Sequence, residues 1–91
     1  MPPINAKVKE TGDLFEAMRE EGSSACGSDL IAGKCYVGTL YKGHFRPNTT
    51  ADGYTTFCYT ERKQEETFSA DQLEQLPTMK LKVRQLRVKK S

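Results

Sequence analysis

Two runs with strand periodicity flank a segment dense in turn formers, and this pattern constrains the chain most. In residues 34–42, Cys35, Val37, Thr39 and Tyr41 fall on one parity and Tyr36, Leu40 and Lys42 on the other. The segment RPNTTADG, residues 46–53, then breaks the extended run with Pro47, Asn48 and the Asp52-Gly53 pair. Residues 54–60 resume it with aromatic and β-branched side chains that suit a pleated surface. Strand, turn and strand predict a hairpin. The all-polar ERKQEE, residues 61–66, reads as an exposed continuation of its second strand or as a turn.

The flanking segments are weaker in pattern. Residues 1–10 read as an extended arm, or as an edge strand from Ile4 to Val8. Asp13 with Glu16 has the spacing of a capping box, and Leu14, Phe15 and Met18 make one apolar stripe ended by Gly22. This predicts a short N-terminal helix. Residues 21–33, rich in Gly, Ser and Asp, predict a loop anchored by Leu30 and Ile31. Ser69 with Gln72 repeats the capping-box spacing ahead of Leu73 and Leu76, and Pro77 ends that turn.

Met79, Leu81 and Val83 then alternate with Lys80, Lys82 and Arg84, a half-buried strand. Leu86 and Val88 have the opposite parity, so either a bulge or sharp bend near Arg84-Gln85 restores the register, which is the expectation, or the strand crosses from one sheet to another. The fold expected is α+β and mostly β. It is a small curled antiparallel sheet or SH3-like partly open barrel, with a short N-terminal helix and a one-turn helix before the last strand. An α+β sheet with the N-terminal helix on one face is the second architecture. With 91 residues the chain is expected to be a single domain, 1–91, with an arm at 1–10, a folded body at 11–88 and a tail at 89–91.

Composition excludes several classes. No window approaches the roughly 20 apolar residues of a membrane span. Residues 1–10 lack the apolar core of a secretory signal, so a cytoplasmic protein without membrane partners is expected. Cys26, Cys35 and Cys58 are too few and odd in number for a disulfide framework, and free thiols are expected. With His44 they give the spacing C-x8-C-x8-H-x13-C, which lacks the close ligand pairs of structural zinc sites. No metal and no cofactor are expected. Catalysis by Cys35 or Cys58 would need His44 and an orienting carboxylate, and nothing in the pattern activates a thiol. Three glycines in residues 22–33 lack the lysine of a phosphate loop. The chain is expected not to be an enzyme.

One feature stands above this background. The formal charge of +2 hides a split: residues 1–79 hold 8 basic and 12 acidic side chains, whereas residues 80–91 hold six basic ones and no acid. Those six are Lys80, Lys82, Arg84, Arg87, Lys89 and Lys90. Cations in a stripe neutralise phosphates and release counterions. Tyr36, Tyr41, Phe45, Tyr54, Phe57 and Tyr59 cluster in the hairpin, where exposed rings would stack on bases.

The six cations, with Arg46 and Tyr54 at the ends of the hairpin turn, are the candidate contacts of a binding module whose partner is nucleic acid or a nucleoprotein. Two plainer readings compete. Lysines on an edge strand discourage edge-to-edge aggregation, and the cations could pair with Glu61, Glu65 and Glu66 on a neighbouring strand. A different function, that of a small inhibitor or accessory protein, would place the contacts to a protein partner on the loops at 21–33 and 46–53. The segment TFSADQLEQLPTMKLKV, residues 67–83, resembles a strand, short helix and strand pattern of small phage-encoded proteins. The resemblance implies a viral or mobile-element origin and carries over no functional residue.

Overall fold

A computed structural model describes residues 3–47, 50–77 and 80–86. They form one six-stranded sheet curled into a half-barrel. The strands are β1 (Ile4–Val8), β2 (Leu14–Glu20), β3 (Cys35–Phe45), β4 (Thr55–Ser69), β5 (Leu73–Gln75) and β6 (Leu81–Gln85). Their order across the sheet is β5-β1-β2-β3-β4-β6. Neighbours are antiparallel except β4 and β6, which run parallel, a departure from the antiparallel sheet expected.

Ile4, Ala6 and Val8 of β1 point into the core on alternate positions, and the strand lies between β5 and β2. Gly12, at φ +79, turns the chain back, with Val8 N–H donating to Asp13 O at 2.8 Å. Residues 14–20 then form a strand, β2, where an N-terminal helix is expected. The Asp13 carboxylate accepts the Gly43 N–H of β3 at 3.1 Å and caps no helix. Leu14 and Phe15, adjacent in a strand, face opposite sides, and both are 0% exposed because the sheet is covered on both sides here. Met18 sits at a bulge between Ala17 and Arg19 and is 53% exposed. The apolar residues at i, i+1 and i+4 are therefore those of a strand with Leu14, Phe15 and Ala17 buried and Met18 left outside at a bulge.

The β3–β4 hairpin is as the alternation predicts, and β4 runs on through Glu61–Glu66 to Ser69. Its register shifts twice, between Gly38 and Leu40 and between Lys42 and Gly43. At Gly38 the backbone of β2 comes so close that a Cβ would fall on the Glu16 carbonyl oxygen. Past Ser69 the expected one-turn helix is a 3-10 turn, Ala70–Gln72, where the Gln72 side-chain oxygen accepts the Ser69 N–H at 3.0 Å.

The core lies in the concavity: Ile4, Ala6, Val8, Phe15, Ala17, Tyr36, Leu40 and Leu73, with Phe15 and Phe68 edge to face at 5.0 Å. Each large side chain buried there contributes about 1.5–3 kcal/mol. The loop at 21–34 folds over it. Cys26 Sγ donates to Ala17 O at 3.3 Å, Leu30 N–H to Gln75 Oε1 at 2.8 Å and Ile31 N–H to the Tyr36 hydroxyl at 2.8 Å. Among the described residues no helix is long and apolar enough to cross a membrane.

Candidate functional site

Side chains at even positions of β3 face the core at Tyr36 and Leu40, and the same parity continues outward through Lys42, His44 and Arg46. Register carries that face onto β4, where His44 lies opposite Cys58, and then onto β6, where Thr56 and Cys58 lie beside Lys82 and Arg84. Arg46 joins the same row as Thr56, its N–H donating to Thr56 O at 2.8 Å. The result is a trough. Its floor is the short side chains of Thr56 and Cys58, one bank is His44 and Arg46, and the other is Lys80, Lys82 and Arg84. Two strand spacings separate the banks by roughly 10 Å. Arg46 leans over the floor, its Nε 3.4 Å from Cys58 Sγ.

Tyr54 closes one end. Lys82 Nζ lies 4.6 Å and Lys80 Nζ 5.6 Å from the centre of its ring. Asp52 is the acid at that end, its carboxylate 3.6 Å from Lys82 Nζ. The Thr50 hydroxyl donates to it, and this bond, then the Tyr54 N–H and the Lys82 charge, hold the exposed carboxyl below its ordinary range.

The opposite face of the same strands is apolar. Phe45 and Phe57 meet edge to face at 4.8 Å and Tyr41 and Tyr59 at 4.9 Å, with Leu81 and Val83 on the same side by register. Such pairs contribute about 0.5–1.5 kcal/mol beyond their buried area. Tyr41 donates to Glu16 Oε1 at 3.0 Å, and burial, then the Glu16 charge, push its phenol above the usual range.

The structure thus brings together five of the eight candidate contacts: Arg46, Tyr54, Lys80, Lys82 and Arg84. Arg87, Lys89 and Lys90 lie outside the described residues, as do Met79 and Val88. The register of β6 is unbroken to Gln85, so no bulge is found at Arg84-Gln85, and Leu86 N–H donates to Tyr59 O at 2.7 Å. Tyr36 and Phe57, 0% exposed, present no stacking surface. Tyr41, Phe45 and Tyr59 are on the other face, and of the six rings Tyr54 is the one beside the cations. Of the acids weighed as partners of the basic strand, none lies opposite the described part of β6, which ends level with Tyr59, and Glu65 sits 3.8 Å from Arg19.

Residue-type reasoning missed His44 and Asp52 as members of this face. The signal for the first was present: Lys42, His44 and Arg46 recur with the strand period.

Cys26, Cys35 and Cys58 are free thiols, and among the described residues no three His, Cys, Asp or Glu side chains converge as metal ligands would. A cleft of about 280 Å3 opens beside the β1–β2 turn, floored by Val8, Leu40 and Phe68 and edged by Lys9 and Lys42. Neither His44 nor Cys58 lines it. No protein family, curated protein or solved structure matches this chain.

Proposed function

We propose that the chain is a non-enzymatic binding module that docks on an anionic macromolecular partner, nucleic acid or nucleoprotein, through the face of β3, β4 and β6. The observation that carries this reading is the convergence of Arg46, Lys80, Lys82 and Arg84 on the two banks of one trough, with Asp52 as the acid at its end. Convergent cations act on phosphates together, whereas cations scattered over a surface are screened separately. The test is a salt titration of oligonucleotide binding. With three or four phosphates neutralised, the log–log slope for a single strand is about −2 to −3. The double change Lys82→Gln and Arg84→Gln is expected to flatten it by more than one unit. Absence of binding at low salt refutes the reading.

A second reading has its own observation. Ile31, on the loop at 21–34, is 50% exposed while its N–H is tied to Tyr36. A rigidly held apolar side chain suits a protein partner, as for a phage-type inhibitor or accessory protein. Capture of a partner that survives nuclease and is lost on Ile31→Asp favours this reading.

A further inference from the structure

Resting on that docking reading, we infer that the partner is single-stranded nucleic acid, with phosphates on the β6 cations and a base stacked on Tyr54. Lys80, Lys82 and Arg84 occupy every second residue of an extended segment, so their Cα atoms recur at roughly 6.6 Å. That repeat is comparable to the spacing of successive phosphates along an extended single strand. The three cations therefore form a comb that a backbone follows in register, one phosphate to each. Arg46, across the trough, faces the same backbone from the other side.

The trough also selects against a duplex. The β3 and β6 backbones beneath its banks are roughly 10 Å apart, a span narrower than a duplex. Arg46 covers Cys58 on the floor, so the strand lies along the β6 bank beside Thr56 with the Arg46 guanidinium against it. At its end stands an aromatic ring, and stacking on such a ring requires a base whose face is free. In a duplex those faces are already stacked on each other. In the unbound protein the Tyr54 ring is occupied by the ammonium groups of Lys80 and Lys82. Charge-assisted bonds to phosphate are stronger than these exposed ring contacts, so binding draws the two ammonium groups outward and uncovers the ring. Phosphate and base are taken up in one movement. Deoxyribose and ribose strands share this chemistry, and nothing in the trough depends on the 2′-hydroxyl.

The experiment measures binding of fluorescently labelled ten-nucleotide oligothymidylate and oligouridylate, of a self-complementary duplex and of linear polyphosphate. It compares the intact protein with Tyr54→Leu and Tyr54→Phe, each checked for an unchanged melting curve. Both single strands are expected to bind at least tenfold more tightly than the duplex. Tyr54→Leu is expected to lose about tenfold on single strands and nothing on polyphosphate, and Tyr54→Phe to retain full binding. If single strand, duplex and polyphosphate bind alike and Tyr54→Leu changes nothing, the single-strand inference is overturned while the anionic docking reading stands. If no polyanion binds, both fall together. Should Tyr54→Leu melt early, the ratio of oligothymidylate to polyphosphate affinity in the intact protein still decides: a ratio near one overturns the inference.

Discussion

At the residue scale, the proposed docking makes Asp52 a competitor for Lys82. Its carboxylate occupies Lys82 from the turn that also delivers Tyr54. Asp52→Asn removes the competitor, and affinity for a polyanion is expected to rise about two- to fivefold, the range of an exposed ion pair. The pH dependence has a definite sign. The folded carboxyl is depressed, so the pair with Lys82 is intact above the ordinary carboxylate value near 3.9 and dissolves only as the pH falls below it. Titration with polyphosphate should therefore show the gain of the variant undiminished from pH 7 to pH 5 and closing below about pH 4. A gain that closes between pH 7 and pH 5 would mean that another group controls Lys82. The residues of this face were partly legible: the charge split marked Lys80, Lys82 and Arg84, and turn chemistry marked Arg46 and Tyr54. Asp52 was legible only as a turn former, because its ion pair crosses from the hairpin turn to a strand about 30 residues later.

At the scale of elements, period-two patterns marked β3, β4 and the burial parity of β6, since each has one face richer in apolar residues. β2 was misread because it is buried on both faces, which erases the alternation that identifies a strand. Its close approach to β3 has a further cost in tolerance. At Gly38 any Cβ falls on the Glu16 carbonyl oxygen, a backbone atom that cannot yield unless β2 and β3 separate. Gly38→Ala is expected to destabilise the fold by about 1–3 kcal/mol, the usual range for forced overpacking. Gly27 has open space around it, and Gly27→Ala should be close to neutral. Urea denaturation of the two variants checks the contrast, and equal midpoints would show that the strands part easily at Gly38.

For the whole molecule, what the sequence pattern left open was strand order. Alternation tells which side chains are buried and says nothing about which strand lies alongside. Two pairings join distant segments: β1 with β5, where Ala6 meets Gln75, and β4 with β6, where Thr55 meets Leu81. Loop closure over such separations precedes the contacts that reward it, so folding is expected to be slow for a chain of this size. Stopped-flow refolding followed by tyrosine emission should relax in milliseconds to seconds. Relaxation within microseconds would show that local structure, such as a transient helix in β2, carries the transition state.

The parallel seating of β6 on β4 makes the molecule modular along its sequence. Every strand that encloses the core is in place by Gln75, and one bank of the trough is added afterwards by a strand with a single described neighbour. The enclosed half can be kept constant while the added strand is rewritten. Replacing Lys80, Lys82 and Arg84 and keeping Leu81 and Val83 would graft a different recognition chemistry onto the same scaffold. On the docking reading proposed above, the strands that fold the chain are separate from the strand that meets the partner.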